Sequence, residues 1–96
     1  MYAVVVTFLL KPGQAERFLP PMLKNAATSL RAEPGCHQFD VATDPARKDE
    51  VLLYELYSDR DAFDDHLASE HFRLFDTAVA DMIESKEIRC YAEVRG

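Results

Sequence analysis

The sequence predicts an α+β fold with element order β-α-β-β-α-β, in which four antiparallel strands carry two helices on one face. Three observations predict it. Tyr2 to Leu10 and Val51 to Tyr57 consist largely of β-branched, aromatic and aliphatic residues. Two longer stretches repeat apolar residues every three or four positions. Short turn-forming clusters of Pro, Gly and Asp separate these segments.

Strand one is Tyr2 to Leu10, stopped by Lys11-Pro12-Gly13. From Gln14 to Ala32 the apolar positions Ala15, Phe18, Leu19, Met22, Leu23, Ala26 and Leu30 form the stripe of an amphipathic helix. Pro20-Pro21 lies inside that stripe and predicts a kink or a split, because two backbone donors are missing. Glu33-Pro34-Gly35 ends the helix, since the residue before a proline is pushed out of the α region. Cys36 to Thr43 then alternates, with His37, Phe39 and Val41 expected on one face. A polar connection, Asp44 to Asp49, joins it as a hairpin to strand three at Val51 to Tyr57. Ser58-Asp59 supplies an N-cap for a helix expected from Arg60 to Lys86 and interrupted near Ser69, whose hydroxyl can cap a restart. Its buried face is read as Phe63, Leu67, Leu74, Phe75, Ala78, Val79, Met82 and Ile83, and the acidic run Asp59, Asp61, Asp64, Asp65 as a solvated face. Glu87 to Val94 is strand four. Phe18, Met22, Leu30, Phe63 and Leu74 are expected in the core, and Cys36 and Cys90 as small buried residues rather than a disulfide or zinc framework.

This order is the split βαβ of the ferredoxin-like fold. Strands one and three are apolar on both parities: Val4, Val6, Phe8 and Leu10 against Ala3, Val5 and Leu9, then Leu52, Tyr54 and Leu56 against Val51, Leu53 and Tyr57. Helices cover one sheet face only, so the other predicts a second apolar surface, most simply a homodimer packed sheet on sheet. A chain of 96 residues, read as a single domain over 1–96, buries only about 60 to 65 % of its unfolded surface, which favours the same solution. Eleven Lys and Arg against seventeen Asp and Glu give a net charge of −6, which disfavours nucleic acid and anionic membranes as partners. The apolar run Met1 to Leu10 is short of the roughly 20 residues of a bilayer span and lacks a signal-peptide pattern, so a cytoplasmic location is expected.

Glu33-Pro34-Gly35-Cys36, Phe39-Asp40-Val41, Tyr54-Glu55-Leu56-Tyr57 and His66-Leu67-Ala68-Ser69-Glu70-His71-Phe72 together resemble the antibiotic biosynthesis monooxygenase (ABM) family of dimeric α/β-barrel proteins. The resemblance spans nearly the whole chain, and the His-x-x-Ser-x-His-Phe segment behind a Tyr-Glu-x-Tyr strand is its most specific part. It implies a cofactor-independent monooxygenase of quinol or phenol-type small molecules, with molecular oxygen as co-substrate. The alternatives are an isomerase or autoinducer-processing type of enzyme on a small polar metabolite, and a non-catalytic, stress-related dimer that binds a small ligand. The chain has no Trp. That departs from the haem-degrading and polyketide-oxygenating relatives and points toward quinol-like or small carbonyl substrates.

Oxygenation without flavin or metal needs a substrate that donates electrons to dioxygen once deprotonated, so the protein supplies a base, a dry cavity and a fixed pose. With the resemblance in place, His66 is the expected base and Glu55 its expected partner, through a hydrogen bond that fixes the imidazole tautomer. Phe39 with Tyr54 or Tyr57 would wall an aromatic substrate, Phe72 and Phe75 would close the pocket, and His71 is a further substrate-binding candidate. No cofactor and no metal are assigned. On a continuous helix His66 and His71 stand about 140° apart around the axis, away from two-ligand geometry, although a break at Ser69 changes that angle.

Overall fold

The computed structural model describes residues 1–96. Strand β1 (Tyr2–Leu10) leads to helix α1 (Ala15–Ala32), the hairpin β2 (Cys36–Asp44) and β3 (Arg47–Tyr57), helices α2 (Arg60–Leu67) and α3 (Glu70–Val79), a 3-10 turn at Ala80–Met82, and β4 (Ile83–Tyr91). The strands form one antiparallel sheet in the order β2-β3-β1-β4. The ferredoxin-like order is thus present, with the second helix of the expected pattern divided into α2 and α3.

Strand alternation decides which residues meet the helices. Val4, Val6, Phe8 and Leu10 of β1 and Val51, Leu53, Glu55 and Tyr57 of β3 are buried, and Phe18, Met22 and Ala26 of α1 with Phe63, Phe75, Val79 and Met82 close over them. The opposite parity, including Val5, Leu52, Tyr54 and Leu56, is half-buried on the open face. Strand β4 is an edge strand exposed along almost its whole length.

Several expectations are corrected. Helix α1 continues through Pro20 and Pro21 without splitting. Its buried residues include the polar Asn25 and Ser29, whereas Leu23 and Leu30 face solvent, so the inward stripe is rotated away from the most apolar one. Leu67 and Leu74 are also exposed, and so is Cys90, on the edge strand. The second helical region ends well before Lys86: strand β4 starts at Ile83, because the ladder with β1 runs from Leu10↔Ile83 to Ala3↔Tyr91 and satisfies that backbone as strand. In β2 the alternation breaks at a bulge. Cys36 pairs with Tyr57 and Gln38 with Leu56, so Cys36 and Phe39 share the buried face while the intervening His37 is exposed, its Nε2 2.6 Å from Ser58 Oγ.

Glycines shape the turns at the two ends of α1. Gly13 sits at φ 78, the left-handed conformation that closes the β1–α1 turn. Gly35 is required for space, since an added Cβ would lie 2.5 Å from Cβ of Ala62 on α2. The Glu33-Pro34-Gly35 turn therefore lies directly against α2.

Candidate active site

His66 occupies the last turn of α2 and is 2 % exposed. Phe39, Tyr57, Phe63 and Phe72 surround its ring at centroid distances of 5.8, 5.6, 6.3 and 5.1 Å. Its Nδ1 lies 2.8 Å from Glu33 Oε2. Ser29 Oγ stands 3.4 Å from the same nitrogen and donates its own hydrogen to the Asn25 carbonyl at 2.8 Å. Burial lowers the His66 pKa against the opposing pull of Glu33, so the ring is held neutral near pH 7. With Nδ1–H donated to the carboxylate, Nε2 carries the free lone pair.

Glu33 reaches this position because it caps α1 in extended conformation (φ −103, ψ 109), as Pro34 requires of the residue before it. The same Oε2 also accepts from His71 Nε2 at 2.5 Å. His71 gets there through the break between α2 and α3. Helix α2 stops at Leu67, and Ser69 caps α3, accepting from Phe72 N–H at 3.2 Å while donating to the His66 carbonyl at 2.7 Å. The 140° separation of a continuous helix is thereby removed, and both imidazoles converge on one oxygen. The donor atoms of Glu33, His66 and His71 all lie within 4.8 Å of one another, which is the set in this chain suited to hold a metal ion.

Glu55 does point toward the helices, but it does not pair with His66. Tyr57 donates its hydroxyl to Glu55 Oε1 at 2.5 Å. Burial raises the Glu55 carboxyl to about 7, opposed by that hydrogen bond and by Lys86. Burial and the adjacent Glu55 push the Tyr57 phenol up as well, so it remains a donor. The expected His66–Glu55 bond is replaced by two separate pairs, because Glu33 projects beneath α2 from the end of α1.

A cavity of about 30 Å³ lies between the sheet and the helices, lined among others by Phe39, Glu55, His66, Phe72, Phe75 and Lys86. That is room for about one or two water molecules. Of the residues singled out from sequence, the structure gathers Phe39, Glu55, His66, Phe72 and Phe75 around this space. Tyr57 stays fully buried behind Glu55. Tyr54, one step along β3 from Glu55, is on the open sheet face. His71 lines instead a larger space of about 220 Å³ between α1 and α3, with Lys24, Thr28 and Leu74. Asn25 and Phe75 line both spaces, and Asn25 Oδ1 is buried without a hydrogen-bond partner.

Sequence reasoning missed Glu33 and Asn25 as site residues. In the sequence Glu33 reads as part of a helix stop and of the Glu-Pro-Gly-Cys segment, and neither reading gives it a role at the site. Asn25 was legible as a polar residue in phase with Met22 and Ala26 on the inward face of α1.

Comparison with known proteins agrees with this fold. A protein of Mycobacterium tuberculosis, Rv0793, named a putative monooxygenase, is 32 % identical over 81 residues, covering 84 % of this chain and 78 % of that one. The solved structure of a putative antibiotic biosynthesis monooxygenase from Nitrosomonas europaea superposes with a TM-score of 0.92 at 27 % identity, covering 99 % of this chain and all (100 %) of that one. PA3566 from Pseudomonas aeruginosa superposes at 0.88 with 26 % identity, over 98 % and 94 % of the two chains. The sequence pattern of the antibiotic biosynthesis monooxygenase family matches residues 1–78, and the chain belongs to that family.

Proposed function

We propose that the protein is a cofactor-independent monooxygenase of small quinols or phenols with His66 as its general base. The observation that carries this reading is a buried, neutral imidazole whose Nδ1 is held by Glu33 and whose other nitrogen is free beside an aromatic-walled cavity. Nε2 removes a hydroxyl proton from the substrate, and the electron-rich anion reduces dioxygen directly. For a quinol the balance closes without an external reductant: quinol and dioxygen give a hydroxyquinone and water, the substrate supplying all four electrons. Phe39, Phe72 and Phe75 hold the aromatic ring and exclude water. The cavity is far below the several hundred Å³ of a typical ligand site, so binding displaces rim side chains, of which Leu67 and Ile88 are the exposed apolar ones.

A homodimer formed through the open sheet face belongs to the same reading. Val5, Leu9, Leu52, Tyr54 and Leu56 place apolar surface there that no element of the chain covers. Sedimentation at micromolar concentration is expected to give twice the chain mass; a folded monomer removes this part.

One observation favours a second reading. Glu55, with a carboxyl near 7, lines the same cavity as His66, and an acid and a base with separated environments also suit keto–enol isomerisation. Oxygen uptake by chelator-treated protein over a panel of hydroquinones and phenols separates the two. Uptake above the autoxidation control that falls by about 10²-fold or more in folded His66→Ala supports the oxygenase. Turnover without oxygen consumption transfers the assignment to the isomerase.

A further inference from the structure

We propose that Glu33, His66 and His71 bind one divalent first-row transition cation, and that the bound cation silences His66 as a base. The second half rests on the function proposed above; the first stands on the geometry alone. Two imidazole nitrogens and a carboxylate oxygen, contributed by the end of α1, α2 and α3, lie within 4.8 Å of one another. First-row cations bind such atoms at about 2.0–2.2 Å, which places ligands about 3–3.5 Å apart and requires only small side-chain rotations.

The hydrogen-bonding pattern of the cluster is lopsided in a way a cation explains. Glu33 Oε2 accepts from both histidines, while Oε1, also buried, has no partner. A buried carboxylate oxygen without a donor carries a desolvation cost, and a bound ion is one of the few things that removes it. A cation between the three side chains uses the Glu33 carboxylate from both oxygens and frees each imidazole from competing for one. Three protein ligands leave open positions for water. The nitrogen-rich donor set selects zinc, iron or nickel over magnesium or calcium, which prefer all-oxygen shells. The site is reachable, since the His71 side chain is 21 % exposed and faces the space between α1 and α3.

The consequence for His66 comes from imidazole chemistry. A ring coordinated through Nδ1 keeps its one remaining proton on Nε2. That nitrogen becomes a donor and no longer accepts a proton from substrate. Cation and base function therefore exclude each other at the same side chain.

The test is calorimetric titration of chelator-treated full-length protein with Zn²⁺, in the presence of excess Mg²⁺. One zinc per chain is expected. Glu33→Gln and His71→Ala should each weaken binding by more than about tenfold, with folding verified by circular dichroism. Glu55→Gln and His37→Ala should leave it unchanged. No saturable binding, or binding indifferent to both Glu33→Gln and His71→Ala, overturns the site. Oxygen uptake measured on the same samples separates the two halves: one zinc bound with full turnover retained overturns the silencing. Zinc bound to a protein that consumes no oxygen even when metal-free supports the site and removes the oxygenase reading.

Discussion

Glu33, half-buried, and Glu55, buried, both lie on the helix-covered side of the sheet, and they meet different partners. Glu55 comes from the middle of a strand, meets one phenol donor and little else, and its carboxyl rises to about 7. Glu33 comes from a helix end forced open by proline and accepts from two imidazoles. A lone neutral donor does not compensate a buried charge, whereas two histidine donors converge on a single oxygen of the other carboxylate and hold it in place. The difference shows that the partner of a buried histidine is decided by which backbone can bring a carboxylate beneath it. Proximity of a glutamate within the same motif region does not decide it.

The largest difference between the two is expected in catalysis. Glu33→Gln should lower oxygen uptake on an active quinol about 10- to 100-fold, because the imidazole loses the carboxylate that fixes its tautomer. Glu55→Gln should cost less than about tenfold, and equal losses in both would erase the distinction. Stability gives the next test. Glu55 holds a proton in the folded chain between about pH 4.5 and 7 that the unfolded chain has released, so wild-type stability falls as pH rises through that window and is flat above it. Glu55→Gln lacks this loss and should be more stable than wild type by about 3 kcal/mol above pH 7, with the gap vanishing below pH 4.5, as read by denaturant midpoints. His66 has the opposite sign: its lowered value means that stability falls as pH drops below the ordinary histidine value of about 6.5.

Two smaller perturbations act on the backbone around the histidine cluster. Gly35→Ala drives a methyl into Ala62 and should cost about 1–3 kcal/mol while shifting Glu33 relative to α2. Ser69→Ala removes the cap of α3 and should cost about 1 kcal/mol, with His71 loosened from Glu33. A fully native melting curve for Gly35→Ala would contradict the close packing of that turn.

Element order, the Asp59 and Ser69 caps, the hairpin and the half-covered sheet were all legible in the sequence, because each leaves a local signature in periodicity or turn chemistry. The end of α3 was not: Ile83 to Lys86 continues a helical pattern, and only pairing with β1, at the far end of the chain, selects strand there. At the site, His66 and the aromatic walls were readable from motif and spacing. Glu33 was not, since its role depends on a contact with His66, 33 residues further along the chain, that no local pattern encodes. Helix arithmetic puts His71 on the wrong side of its helix, and the break at Ala68-Ser69 between α2 and α3 is what brings it back.

The most direct measurement is the tautomer and partner of His66 in chelator-treated, metal-free protein by long-range ¹⁵N–¹H NMR at neutral pH. The geometry predicts a neutral ring protonated at Nδ1, with its Nδ1 signal displaced by Glu33→Gln and unmoved by Glu55→Gln. A ring protonated at Nε2, or one that responds to Glu55→Gln alone, would contradict it.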